Sequence, residues 1–449
     1  MLPFWKGQGD WFVSITKVRG PCWAEPLKKC FDLAKQDKVI MNNSKSSNAA
    51  LGGLKVIELG QLIAGPFAAK LLGEFGAEII KIEPPDVGDP LRKWRKLESG
   101  TSLWWHVQSR NKKSVALDLK VPEGQEILRK LLQDADILIE NFRPGTMEKW
   151  GLGWEQLSQL NPKLIMVRVS GYGQTGPYRD LPGFGVIGEA MGGLRYLTGE
   201  PGRPPVRCGI SIGDSISALY AVIGVLLALH HRNQHSGKGQ CIDVALYESV
   251  FGMMESLIPE YDYFGVVREP SGAALPGIAP TNAYLCRGGK YVLIGGNGDG
   301  IFKRLMNVIG RDDLANAPRF AHNDGRAQEA AFLDATIEEW TKQHEVSEVL
   351  EKLNAAGVPV GYPYTAADIV ADPHYQAREM IQTINLLSGK TLKVPAVLPK
   401  LSDTPGQIGG AGPVLGEHTD EVLSAIGIDD ETRKCLRQRG IISGEKGSL

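Results

Sequence analysis

Apolar residues after about position 54 fall into short runs, separated by longer stretches with helical periodicity. Residues 55–60 (KVIELG) read as a strand and 64–75 as a helix, with Pro66 suited to its first turn. Gly76 ends that helix, and 77–83 (AEIIKIE) reads as the next strand, giving a βαβ unit whose parallel strands need a right-handed crossover. Strands at 114–119, 137–140 and 164–169, with helices at 122–134 and up to about 160, continue the alternation. Such a pattern predicts a Rossmann-like α/β domain, a parallel sheet with helices on both faces. Ligands in such sheets bind at the carboxyl ends of strands, so the loops after Leu59, Glu83, Glu140 and Val169 share the candidate edge.

The stretch VRCGISIGDSISALYAVIGVLLALHHR (206–232) stands out. Its first part, 206–212, is expected to be a short strand; Gly213-Asp214-Ser215 turns the chain, and an almost wholly apolar helix follows. Asp214 then lies at or next to a helix N-cap, where free N–H groups and the helix dipole favour its ionised form. Such an Asp is either an ordinary cap, contributing about 1 kcal/mol, or a carboxylate placed to act as a nucleophile. The apolar run 218–229 is too short for a membrane span and suits a buried core helix. Before it, 181–193 is a glycine-broken helix; after it, 239–245 is a strand and 246–261 a helix.

A Gly/Ala/Pro-rich stretch at about 269–280, a linker or active-site loop, leads to a second, smaller α/β unit. Its strands are expected at 283–286 and 291–295, with helices up to 356; a strand at 391–397 and two closing helices follow. The resulting organisation is an irregular N-terminal extension (1–50), a large catalytic domain (51–265), a linker and small domain (266–365) and a return segment completing the large domain (366–449). The extension holds three tryptophans and a polar arm (MNNSKSSN), so Met41 is a candidate natural start. It has no secretory signal; read as a transit peptide it would direct the chain to the mitochondrial matrix, against a cytoplasmic location otherwise.

Length and charge narrow the function classes. The chain has 449 residues and a formal net charge of −1, which gives no bulk electrostatic case for nucleic acid or membrane partners. Six cysteines are scattered without CxxC or Cys/His spacing, which fits reduced thiols and no metal site. The first turn, GQLIAG (60–65), lacks GxGxxG, although Glu83 ends the second strand where a ribose-binding acid would sit. A nicotinamide oxidoreductase is therefore disfavoured. Arg92, Lys93, Arg95 and Lys96 read as a solvated loop, while Arg110, Lys112 and Lys113 form a basic turn that is either solvated or phosphate-binding.

In chain order the segments VIELGQLIAGPFAAKLLGEFGAEIIKIEPP, RNKKSVALDLK, ILIENFRPG, VSGYGQTGP, GDSISALYAVIGVLLALHHR, GKGQCIDVALYE and PVLGEHTDEVL resemble the family III CoA-transferases. The resemblance covers residues 51–441. It implies a CoA-transferase with a ring-shaped protomer in an interlocked homodimer. It also implies coenzyme A or acyl-CoA as substrate, with no permanently bound cofactor. Asp214 falls on the family's catalytic nucleophile. Attack on an acyl-CoA thioester gives an aspartyl anhydride, then an aspartyl-CoA thioester, before CoA passes to the acceptor carboxylate. By family position Ile63, Ala64, Leu117, Asp118, Leu119, Lys120, Asn141, Phe142, Arg143 and Lys149 contact CoA, with Arg143 and Lys149 at its phosphates.

Two departures bear on the substrate. Gln61 and Ile63 stand where some members have His and Gln, which removes a polar pair suited to oxalate. Phe184-Gly185 stands where many carry Tyr-Glu or Phe-Asp, so a helper acid is missing and Glu189, one turn on, is its replacement candidate. Arg195 and Arg207 flank the path to Asp214 and either could hold a second carboxylate, which points to a small dicarboxylic acceptor with succinyl-CoA as donor. Both are equally open to pairing with nearby acids. The alternatives are a 2-methylacyl-CoA racemase of the same fold and a non-catalytic CoA-binding protein.

Overall fold

The computed structural model describes residues 48–444; the expectations for residues 1–47 lie outside the described residues. A seven-stranded sheet forms from β1 (Lys55–Glu58), β2 (Glu78–Glu83), β3 (Lys112–Leu117), β4 (Ile137–Glu140), β5 (Ile165–Ser170) and β6 (Cys241–Ala245), with a late edge strand, Ile442–Ser443. The spatial order is Ile442–Ser443, β3, β2, β1, β4, β5, β6. Every pairing from β3 to β6 is parallel, and the edge strand is antiparallel to β3. This is the doubly wound order, which reverses direction between β1 and β4. Strands β4 (ILIE) and β5 (IMVRVS) are buried along their whole length, as a sheet covered on both faces requires.

Helix α1 (Ala64–Glu74) covers one face; it begins with Pro66 in its first turn, and Gly76, at φ +103°, follows its end. Its Ala64, Ala68 and Leu72 share a core with Ala218, Ala221 and Val225. Helix α2 (Pro122–Leu132) covers the other face, where Ile127, Leu128 and Leu131 pack with Met147, Leu157 and Leu436. The chain therefore leaves β1 and β4 toward opposite faces of the sheet.

Three expected elements differ. Residues 206–211 form no strand, and the apolar helix starts earlier than expected, at Ile212. It runs to His231 and continues through a π turn at Arg232–Ser236. Only one side of it is packed: Leu219, Ile223, Leu226 and Leu227 are exposed, the last by 65%. It is thus not a helix buried on all sides, and by length and composition alone it could cross a membrane. An all-apolar sequence cannot distinguish a fully enclosed helix from one that keeps a free apolar face. The expected helix at 246–261 is two, α5 (Leu246–Phe251) and Leu257–Phe264, with Glu255 in the left-handed region between them. The glycine-broken helix resolves into α3 (Gly185–Met191) and a single turn at Leu194–Leu197, and the apolar helix Ile212–His231 is α4.

Strands Thr281–Leu285, Tyr291–Gly295 and Val360–Gly361 make a separate antiparallel sheet with a core of its own, including Phe302, Leu305, Leu333 and Val349. Among the described residues, strand Thr391–Pro395 pairs only with Ile381–Asn385, as a hairpin outside the large sheet.

Candidate active site

The carboxyl ends of β1 and β4, adjacent where the strand order reverses, present two loops that are laced together. Asn141 accepts the Gln61 N–H at 2.8 Å and donates to the Gln61 carbonyl at 2.9 Å. Leu62 is held in the left-handed region (φ +64°), which is costly for a branched side chain. Asp89 accepts its N–H at 3.1 Å. Beneath this turn Lys81 donates to the Gly60 carbonyl at 2.7 Å and pairs with Glu58 (2.8 Å) and Asp89 (2.9 Å). Lys112 reaches the other Glu58 oxygen at 2.8 Å. Burial works against the Lys81 ammonium, but Glu58, Asp89 and Glu83 outweigh it and raise its pKa. Burial also opposes ionisation of Asp89, and Lys81 with the N–H groups of Leu91 and Leu62 holds its carboxyl below the ordinary range.

This cluster corrects several expectations. Glu83 is buried against Arg92 at 2.8 Å and Ser114 at 2.7 Å, so it is not free for a ribose. Arg92 is not in a solvated loop; it is buried and stacks 3.7 Å from the Trp105 ring centre. In the basic turn Arg110 and Lys112 are neither solvated nor open to phosphate, and Lys113 is half-buried in surface ion pairs. Arg110 is enclosed and paired with Glu74 at 2.6 Å, Lys112 is buried, and Lys113 bridges Glu78 and Glu421. Periodicity could not find these partners, because they lie on other strands and helices. Asp89 had one local signal: an Asp directly before Pro90 is a cap pattern, and it caps the short helix at Pro90–Lys93.

The loop after β4 rests on a second ion chain. Arg168 donates to Glu140 at 2.8 Å and to Glu148 at 2.6 Å, while Glu140 accepts the Phe142 N–H at 2.7 Å. Burial pushes the Glu140 carboxyl up to about 7 despite the pull of Arg168.

Asp214 is the third residue of α4, not its cap; Ser211 precedes the helix and makes no side-chain cap. Its carboxylate lies where a side chain at Gly185 would begin: a Cβ there would sit 2.2 Å from Oδ2. The pull of the helix start toward ionisation is present, through the Asp214 backbone N–H, but it is outweighed. Burial, then the charge of Glu189, push the carboxyl up to about 6, with Arg207 pulling the other way. Glu189 is 1% exposed and pairs with Arg195 at 2.6 Å, so Arg195 is engaged by an acid of the protein. Arg207 is exposed and makes only a 3.5 Å contact with the Ser211 hydroxyl.

A cavity of about 160 Å³ opens over Asp214. Gln61, Ile63 and Ala64 line it from the first turn, Asn141, Phe142 and Arg143 from the β4 loop, and Phe184 from the start of α3. Val169, Ser170 and Gly171, from the VSGYGQTGP segment, also line it, with Leu181 and Leu246. A second cavity of about 460 Å³ is lined by Leu117, Asp118, Leu119 and Lys120, with Gln61 and Phe142 shared between the two. Lys149 stands outside both, next to the lining residue Trp150. Lys120, Arg143 and Lys149 are exposed, and their side chains are unpaired among the described residues. Glu189, Arg195 and Arg207 do not line either cavity. His230 and His231 end α4, about 24 Å from Asp214 by helical rise, too far to serve as acid or base beside it.

Together the site offers a carboxylate of raised pKa in a narrow cavity that Arg143 also lines, and beside it a wider cleft lined by Lys120. Residues 51–419 match the model of CoA-transferase family III. The chain is 48% identical over 394 residues to the succinyl-CoA–D-citramalate CoA-transferase of Chloroflexus aurantiacus, covering 87% of this chain and 98% of that protein. It is 45% identical over 397 residues to the beta subunit of the succinyl-CoA–L-malate CoA-transferase of the same organism, covering 87% and 98%. A crystal structure of a CaiB/BaiF family protein from Brucella suis aligns with a TM-score of 0.74 and 36% identity, covering 84% of this chain and all of that one.

Proposed function

Since the chain belongs to CoA-transferase family III, we propose that it moves CoA from succinyl-CoA to a small dicarboxylic acid, with Asp214 as the nucleophile. The observation that carries this reading is the position of Asp214 in one cavity with the turn and loop residues that the family uses for CoA. An Asp214 oxygen attacks the thioester carbonyl; the C–O bond forms, the C–S bond breaks, and the electron pair leaves on sulfur as CoA thiolate. The thiolate then attacks the aspartyl carbonyl of the anhydride, releasing the donor acid and leaving an aspartyl-CoA thioester. The acceptor carboxylate attacks this, and the returning thiolate takes up the acceptor acyl group and frees Asp214. Covalent catalysis divides one exchange into easier steps.

The thioester end of CoA fits the smaller cavity, with the chain passing Gln61 and Phe142 into the wider cleft. Lys120 in that cleft, Arg143 at the smaller cavity and Lys149 outside both are free to meet phosphates along this path. Ile63 and Ala64 stand at the N-terminus of α1, whose open N–H groups favour an anion. The relatives that act on citramalate and malate favour a dicarboxylic acceptor. With Arg195 held by Glu189, Arg207 is the cation left to take a distal carboxylate. A panel of mono- and dicarboxylates with succinyl-CoA, read by mass spectrometry, tests this. Arg207→Met should raise KM for dicarboxylates by about tenfold to a hundredfold, the loss of a charge-assisted bond, and leave monocarboxylates unchanged. Equal effects on both classes would remove the dicarboxylate assignment.

The exposed apolar side of α4, with Phe251, Tyr261, Tyr263 and Phe264 also exposed, supports an obligate homodimer. Interlocked ring-shaped protomers would cover this surface. Sedimentation should give a dimer down to nanomolar concentration, and a folded monomer there would count against it.

A further inference from the structure

The nucleophile has a buried acidic neighbour with half its hydrogen-bonding capacity idle. One oxygen of Glu189 accepts from Arg195; the other, Oε1, is enclosed and has no partner. An enclosed unpaired oxygen costs stability, so its retention calls for an explanation. The packing supplies one. Gly185 and Glu189 stand four residues apart on one face of α3, the face that crosses the first turn of α4. The crossing is tight: a Cβ at Gly213 would lie 3.0 Å from the Gly185 carbonyl and 3.3 Å from Glu189 Cγ. Asp214 fills the space left open by Gly185, and Glu189 is fixed beside the same helical turn by Arg195.

Resting on the reading of Asp214 as nucleophile, we propose that Glu189, oriented by Arg195, is a positioning residue. It holds the Asp214 carboxylate under like-charge repulsion that is released when Asp214 is acylated. The charge balance gives the device its sense. As the anhydride forms, the negative charge of Asp214 leaves on the CoA sulfur, and an uncharged acyl group remains beside Glu189. Repulsion therefore raises the energy of the free nucleophile and not of its acylated forms, a gain in the acylation step. The charged groups facing Asp214 are Glu189 from α3 and Arg207 from the segment before α4; Arg195 faces Glu189. Burial and then Glu189 raise the Asp214 pKa to about 6, with Arg207 opposing.

The test is Glu189→Gln with Glu189→Asp as the charge-retaining control. Carbodiimide labelling of the Asp214 peptide, followed by mass spectrometry across pH, reads the titration of that carboxyl without requiring turnover. Wild type should show a midpoint near 6. Glu189→Gln should lower it by about one unit, and Glu189→Asp should keep it near wild type. In exchange between succinyl-CoA and isotope-labelled succinate at pH 8, Glu189→Gln should lower kcat about tenfold with KM unchanged. Should Glu189→Gln not fold, the paired change Glu189→Gln with Arg195→Gln removes both charges together and should give the same shift. A midpoint unmoved by removing the Glu189 charge overturns the proposal. Absence of exchange in wild type, with the midpoint shift intact, would instead count against succinyl-CoA as donor.

Discussion

Two groups of carboxylates near the carboxyl edge of the large sheet, one wholly buried and one that includes the half-buried Asp214, are treated in opposite ways. Under the first turn, Glu58, Glu83 and Asp89 face Lys81, Lys112 and Arg92 at 2.8–2.9 Å. Glu83 and Asp89 are held below their ordinary pKa. At the crossing of α3 and α4, Arg195 is bonded to Glu189, while Asp214 has no bonded cation among the described residues and feels only the pull of Arg207. There the carboxyl of Asp214 rises to about 6. Matched charge fixes a strained turn in place, whereas on the proposed mechanism the unmatched carboxylate is the one that must change charge. Glu140 stands between the two: it is paired with Arg168, yet burial raises its carboxyl to about 7.

The comparison breaks most completely if the unmatched carboxylate is removed. Asp214→Asn should lower transfer by more than about a thousandfold, or roughly 4 kcal/mol, while the melting curve stays within about 1 kcal/mol of wild type. Breaking the matched cluster should act the other way round. Asp89→Asn leaves Lys81 short of one counter-charge and Leu62 without the carboxylate that holds its N–H. Removing one member of a buried pair costs about 3–5 kcal/mol, read by chemical denaturation, and KM for acyl-CoA should rise as the turn relaxes. A subtler change sharpens the contrast. Gly185→Ala places a methyl 2.2 Å from Oδ2 of Asp214 and must displace it. We expect kcat to fall about tenfold to a hundredfold, or roughly 1.4–2.7 kcal/mol. Stability should hardly change, because alanine favours the helix by about 0.5–1 kcal/mol.

The sequence exposed one of these regions better than the other. Strand β4 was legible to the residue, and α1, α2, β2 and β5 within one or two residues, because parallel strands are continuous apolar runs and their helices are periodic. Asp214 was singled out by its Gly-Asp pair and the family motifs around it, and the structure places it in a cavity with Gln61, Asn141 and Arg143. Its environment was not: the strand expected before α4 is irregular chain, and the expected cap is an interior first-turn residue whose ionisation is opposed. Local pattern carries the dipole argument, but burial and the approach of α3 are tertiary facts. The same limit explains the basic turn, where Arg110 and Lys112 look solvated in one dimension and are enclosed in three. Arg195 was ambiguous for a related reason, since only folding brings it back onto Glu189, six residues earlier.

On the proposed mechanism Asp214 becomes covalently acylated. The direct measurement is mass spectrometry of the Asp214 peptide after brief incubation with succinyl-CoA and trapping with hydroxylamine. Modification should appear on Asp214 in wild type, be absent in Asp214→Asn, and fall away as pH drops below about 6. An active wild-type enzyme whose Asp214 stays unmodified, or a trapped acyl group on a different residue, would contradict the account.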